Sequence, residues 1–200
     1  MPTLAALADA IRSAPARLGG VRLVCVDGPA GSGKTTFAGR LAEALGTDAA
    51  IVHLEDLYAG WTLTGAVARL SAGVLRPLAE GRPGAHHRYD WHAGGFEPEP
   101  VRVPVPAVLV VEGCGSAPRA LDPWTTLRIW VEAPADLRLA RGLARDGAGM
   151  AAEWQRWLDT ETAQFTAEDT RTRCDLAVDG AAGVTGEGLF VLLANGRMER

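Results

Sequence analysis

Lys34 is the only lysine among 20 lysine and arginine residues, and it stands in Gly28-Pro-Ala-Gly-Ser-Gly-Lys34-Thr35, a complete G-x-x-x-x-G-K-[ST] pattern. Every other cationic side chain of that kind is arginine. An ammonium on a thin, flexible stem can thread between a loop and the β- and γ-phosphates as a compact point charge, whereas a planar guanidinium fork is too broad. Gly28, Gly31 and Gly33 permit backbone angles that turn successive N–H groups inward, and the helix that follows adds its positive end. The chemistry of such a loop is polyphosphate binding. It would involve Gly28, Ala30, Gly31, Ser32, Gly33, Lys34, Thr35 and Thr36, with the Thr35 hydroxyl offered to Mg²⁺.

Two acidic positions could act with the loop. Val52-His-Leu-Glu55-Asp56-Leu-Tyr58 ends an apolar run with adjacent carboxylates, and Val108-Leu-Val-Val111-Glu112-Gly113 ends another with one. In a parallel sheet the C-terminal strand ends line the ligand crevice, so these acids would lie near the phosphates. One carboxylate of the Glu55–Asp56 pair could take a proton from a substrate hydroxyl. Another acid, Glu55 or Glu112, could hold Mg²⁺ directly or through water. Asp56 capping a turn and Glu112 as a solvated strand end are the plainer alternatives. Arg138, Arg141 and Arg145, spaced i, i+3, i+7, place three cations on one helix face, where they serve either a transferring phosphate or solvent. Arg88-Tyr89-Asp90-Trp91 combines aromatic surfaces with a carboxylate and would suit a ring or sugar, with Tyr58 nearby. Trp154, Trp157 and Leu158 read as packing residues of a late helix.

The elements that must position these groups follow from periodicity. Thr3 is the expected N-cap of a first helix within residues 1–20. Strands are expected at Val21–Val26, Ala50–Leu54, Ala107–Val111, Leu127–Val131 and Cys174–Val178, and helices at Thr62–Glu80, Pro134–Asp146 and Met150–Thr170. That alternation predicts an α/β fold with a parallel sheet covered on both faces. The segment Gly81–Pro106, rich in Gly and Pro, reads as an irregular, substrate-side insert. The tail 184–200 carries an apolar run, Leu189–Leu193, with no evident place. A chain of 200 residues, 48% hydrophobic, suits one α/β domain spanning 1–200.

Net charge is −4 and no Lys/Arg block occurs, which argues against nucleic acid as partner and for a small anionic ligand at a local site. Cys25, Cys114 and Cys174 are odd in number and lie in or beside apolar runs, as reduced core cysteines do. With no basic-then-apolar amino terminus and no membrane-length apolar run, the expectation is a cytoplasmic protein that does not engage membranes. A homo-oligomer remains open.

The chain resembles the uridine kinase-like family of P-loop kinases, which includes pantothenate and nicotinamide riboside kinases. The similarity runs from about Val21 to Asp179. Beyond the loop it rests on His53-Leu-Glu55-Asp56-Leu-Tyr58, on Tyr89-Asp90, on Glu112-Gly113, on Asp136 to Asp146, which is similar to the family's lid helix, and on Cys174 to Val178, similar to its closing strand. The resemblance implies a three-layer α/β/α P-loop NTPase fold with a five-stranded parallel sheet of order 2-3-1-4-5 and a helical lid at 138–149. It implies ATP and Mg²⁺ as cofactors and transfer of phosphate to a hydroxyl of a small-molecule substrate, a nucleoside or related riboside in the family. Position by position, Lys34 and Thr35 match the phosphate and Mg²⁺ groups, Glu55 the base and metal acid, Glu112 the second metal acid, and Arg141 and Arg145 the lid arginines. Three departures stand out. The usual aspartate is Glu55, which leaves Asp56 as an alternative base. The Phe-Asp-His-Pro element that holds a nucleoside is missing between Tyr58 and Tyr89, and Gly147-Ala-Gly149 replaces an Arg-Gly-Arg extension. A loop of this kind also serves ATPase switch modules acting on a protein partner. Such a module needs no second cavity, whereas the insert offers one.

Overall fold

A computed structural model describes residues 1–193. The strands β1 (Arg22–Asp27), β2 (Ala49–His53), β5 (Val108–Glu112), β6 (Thr125–Glu132) and β7 (Leu176–Asp179) form one parallel sheet of order β2-β5-β1-β6-β7. Counting only these strands, the order is 2-3-1-4-5, as the resemblance implies. Alternation along the two innermost strands builds a core on each face. Val24, Val26, Val108 and Val110 meet Leu4, Leu7 and Ile11 of α1 (Leu4–Ser13) and Phe37 and Leu41 of α2 (Lys34–Leu45). On the other face Leu23, Cys25, Leu109 and Val111 meet the helical segment made of α3 (Ala66–Leu70), a π turn (Ser71–Leu75) and α4 (Arg76–Ala79). Each such side chain contributes about 1.5–3 kcal/mol on burial, so β1 and β5, buried on both faces, form a rigid platform for what their C-terminal ends carry.

Thr3 is the N-cap of α1, its Oγ1 accepting the Ala6 N–H at 3.1 Å. Two expected helices are shorter than their periodicity suggests. Gly65, with a left-handed φ of 78°, delays the first to Ala66. Asp169, at φ 50°, closes α6 (Ala151–Glu168) before the short α7 (Thr170–Arg173). α5 spans Ala135–Asp146. Gly81–Pro106 is not irregular: β3 (Gly84–Asp90) and β4 (Gly95–Val103) pair as an antiparallel ribbon. The prolines that hid it, Pro98 and Pro100, lie on β4, which has one paired edge only, so a missing N–H is tolerated.

Part of the tail also finds a place. Phe190 is buried with its ring edge-on to Phe37, and the Asp179 and Leu193 N–H groups donate to Val191 and Ala177 carbonyls, covering the outer edge of β7. Residues 194–200 lie outside the described part. All three cysteines are free, and among the described residues no helix is long and apolar enough to cross a membrane.

Candidate active site

The loop between β1 and α2 wraps the sheet's C-terminal end. Gly28 is pressed against β6: a Cβ there would lie 2.0 Å from the Val131 carbonyl oxygen, and φ is 143°. At Gly31 a Cβ would lie 2.4 Å from the Arg138 carbonyl oxygen. No side chain is accommodated at either point, so the backbone alone faces the ligand space. Gly33 is the N-cap of α2, whose first residue is Lys34. Lys34 is 7% exposed, and its Nζ donates to the Pro29 carbonyl at 2.9 Å and meets Cys114 Sγ at 3.5 Å. Burial acts to lower its pKa, but the surrounding negative groups, Glu112, Glu161 and Asp27 among them, raise it, so it remains an ammonium.

Thr35 Oγ1 donates to Glu112, with both carboxylate oxygens 3.2 Å away. A hydroxyl beside a buried carboxylate, at the foot of a phosphate loop, is the hard-oxygen donor set Mg²⁺ takes when phosphates supply the remaining ligands, so the residues present fit that ion. His53, at the end of β2, lies 2.6 Å from Glu112 Oε1 through its Nδ1, and that hydrogen bond raises its pKa.

The loop opens into a cavity of about 770 Å³. Its wall includes Ala30, Gly31, Gly33, Lys34, Thr35 and Thr36 of the loop, the aromatic side chains Tyr58, Trp61, Trp91, Trp154 and Trp157, and Glu55, Glu112, Arg141 and Arg145. Glu55 and Asp56 separate cleanly. Glu55 lines the cavity and burial pushes its carboxyl above the ordinary value, opposed by the Arg145 guanidinium. Asp56 instead pairs with Arg88 at 3.2 Å, away from that wall. A second cavity of about 260 Å³ continues from Gly33 and Thr36 and is flanked by Phe37, Val131, Val178 and Val184.

The expected site residues divide by where the structure places them. Of the substrate-side residues, Tyr58 and Trp91 reach the cavity while Arg88, Tyr89 and Asp90 do not line it. Arg88 is held by Asp56, Tyr89 packs edge-on to Trp91 and Phe96, and Asp90 Oδ1 caps the β3–β4 turn by accepting the His92 and Ala93 N–H groups. Asp56 is an ion-pair partner on the hairpin side. Arg138 donates its guanidinium to Glu161 and to the Ala30 carbonyl. Trp154 and Trp157 pack α6 as expected, and they also form cavity wall. Arg141 donates to the Gly31 and Gly180 carbonyls at 3.2 Å each, and Arg145 pairs with Asp146 over the Trp154 ring.

Two buried acids escaped the sequence. Glu161 lies on α6, 1% exposed; Oε2 accepts the Ala30 N–H at 2.8 Å, and Oε1 accepts from Arg138 Nη1 at 3.1 Å. The signal was there: Trp154, Trp157 and Glu161 share one helical face, and an acid on a buried face needs a partner. Asp27, at the end of β1, is fully buried; its Oδ1 accepts the Gly28 and Gly115 N–H groups at 2.7 and 2.8 Å and its Oδ2 the Ala117 N–H at 2.8 Å. Burial pushes it up to about 6 despite those donors. Asp27 thus ties the phosphate loop to the loop after β5. Asp27→Ala leaves three buried N–H groups without acceptors at about 1–3 kcal/mol each, so chemical denaturation should show a stability loss above about 3 kcal/mol. A loss within about 0.5 kcal/mol would mean that water replaces the carboxylate.

No protein-family model and no curated protein matches the chain. Solved structures do. One, described as a possible uridine kinase from Bacillus stearothermophilus, superposes with a TM-score of 0.65 at 18% identity, covering 87% of this chain and 96% of its own. Another, described as a candidate fructose transport system kinase from Silicibacter sp. TM1040, gives 0.59 at 21% identity, covering 82% and 95%. With its parallel sheet, phosphate loop and strand order, the chain has the three-layer α/β fold of the uridine kinase-like P-loop kinases.

Proposed function

We propose that the protein is an ATP-dependent phosphotransferase that moves the γ-phosphate of ATP to a hydroxyl of a small molecule. The observation that carries this reading is that one cavity of about 770 Å³ is lined both by the loop with Lys34 and Thr35 and by Glu55, Glu112 and five aromatic side chains. A switch or ATPase module acting on a protein has no use for that aromatic lining.

Each residue then has a task. The loop N–H groups and Lys34 hold the β- and γ-phosphates, and the apolar slot of Phe37, Val131, Val178 and Val184 takes the adenine ring. Thr35 and Glu112 hold Mg²⁺, which supplies charge neutralisation at the phosphates when bound. Glu55 accepts the proton of the acceptor hydroxyl as its oxygen forms a bond to the γ-phosphorus and the bond to the β–γ bridging oxygen breaks, releasing ADP. Arg141 and Arg145 neutralise the transferring group, on a lid (138–149) that swings at the Gly147–Gly149 turn.

ADP release by purified protein against a panel of alcohols tests the reading: acceptor-dependent release supports it, and release indifferent to every alcohol speaks for an ATPase. Arg141→Ala and Arg145→Ala should each lower kcat by ~10-fold or more with a smaller rise in the KM for ATP, because contacts made mainly in the transition state do not contribute to ground-state binding. Steady-state kinetics decides it. Unchanged kcat in both variants would reduce this helix face to a solvated surface.

A further inference from the structure

We propose that Glu161 and Arg138 are a positioning pair: from behind the phosphate loop they hold the polar groups of Ala30, and thereby the end of the loop that meets the γ-phosphate, in the geometry that transfer requires. This rests on the phosphotransferase reading. The loop faces two compartments. Gly33 and Thr36 line both the main cavity and the apolar slot, whereas Ala30 and Gly31 line the main cavity alone, together with Glu55 and Arg145. A triphosphate whose base lies in the slot therefore runs from Gly33 toward Ala30, and its terminal phosphate ends beside the Ala30–Gly31 half.

That half is gripped from outside the cavity. The Ala30 N–H donates to Glu161 Oε2 at 2.8 Å, and the Ala30 carbonyl accepts from Arg138 Nη1 at 3.3 Å. Arg138 Nη1 also donates to Glu161 Oε1 at 3.1 Å, so the three residues close a ring of hydrogen bonds. Glu161 is fully buried and Arg138 nearly so, and neither lines the cavity. The network extends to Lys34. Cys114 Sγ stands 3.4 Å from Glu161 Oε2, 3.3 Å from the Gly28 carbonyl oxygen and 3.5 Å from Lys34 Nζ. One carboxylate thus touches Ala30 directly and Gly28 and Lys34 through a single thiol.

Fastening α5 to α6 does not require this arrangement. A buried ion pair exchanged for apolar side chains of similar volume is often neutral or stabilising, and the two helices already meet where a Cβ on Gly142 would lie 2.2 Å from the Trp154 indole. What an apolar pair cannot supply is an acceptor for the Ala30 N–H and a donor for its carbonyl. A loop released there can shift, and misplacement of reacting groups by about 1 Å costs ~10²-fold in rate. The other end of the loop keeps its own anchorage, through the contact of Gly28 with β6 and through Gly33 at the start of α2, so ADP binding should survive the loss of the pair.

Two measurements on the full chain test the pair. In the first, amide hydrogen exchange of Ala30 is followed by NMR in the wild-type protein. Because its partner is a protein carboxylate outside the cavity, slow exchange is expected without nucleotide, changing by less than about threefold with ADP and Mg²⁺. Protection that arises only with nucleotide would overturn the proposal. In the second, the double variant Arg138→Met/Glu161→Met is compared with wild type by circular dichroism, by calorimetric titration with ADP, and by ADP release with ATP and the alcohol panel. The expected result is a native fold, ADP affinity within about threefold of wild type, and kcat lowered at least about tenfold. A folded variant with wild-type kcat, or one that loses ADP affinity and kcat in parallel, would overturn the proposal and reduce the pair to a fastener while leaving phosphotransfer intact. If the double variant does not fold, the exchange measurement decides alone. ATP hydrolysis by the wild type that no alcohol changes would overturn the phosphotransferase reading, and the pair's part in transfer falls with it.

Discussion

Lys34→Ala is expected to lose ATP turnover by ~10²-fold or more while keeping its fold, because preorganised charge at the transferring phosphate is what the loop contributes to catalysis. The ammonium is buried, yet it belongs to neither hydrophobic cluster, and its hydrogen bonds go to one loop carbonyl and one thiol. Lys34→Arg should be severely impaired too. The planar fork must fit where a single Nζ now reaches the Pro29 carbonyl and Cys114, within a wall already occupied by Glu112. Steady-state ADP release on variants with native circular dichroism measures both effects. Near wild-type turnover in either would remove the phosphate-binding role from this residue.

Glu55→Gln should lower kcat by ~10²–10⁴-fold, the contribution of a positioned general base, whereas Asp56→Asn should change it only a few-fold. The difference follows from where the two carboxylates go, one into the cavity wall and one to Arg88. The pH profile gives a second handle. Burial raises Glu55 from its ordinary value, and a base works only when deprotonated. Activity should therefore fall as pH drops through that raised value, and the acid limb should vanish in Glu55→Gln. A larger loss in Asp56→Asn than in Glu55→Gln would reverse the assignment.

Much of this site was legible because its signals are local. The phosphate loop is contiguous in sequence, and the strands on either side of it show their burial as unbroken apolar runs, so Lys34, Thr35 and Glu112 could be placed together from the strand ends alone. What stayed hidden depends on contacts far apart in the chain. Asp27 bonds Gly115 and Ala117, and Glu161 bonds Ala30 across 131 positions, pairings that no periodicity encodes. The β3–β4 ribbon was masked because Pro98 and Pro100 are read as breakers, although an edge strand admits them. Asp56 could not be told from Glu55 because adjacent residues differ only in the direction their side chains leave the 3₁₀ turn at Leu54–Leu57. The tryptophans of α6 looked like packing alone since helical spacing cannot distinguish a face that meets the body from one that also borders a cavity.

The measurement that bears most directly on the central claim is the fate of the γ-phosphorus. Purified protein is supplied with ATP, Mg²⁺ and the alcohol panel, and the products are followed by phosphorus NMR with Lys34→Ala as control. The account predicts a new phosphomonoester resonance that grows in step with ADP, requires an alcohol, and is lost in the control. ADP accompanied only by inorganic phosphate, at a rate no alcohol changes, would contradict it.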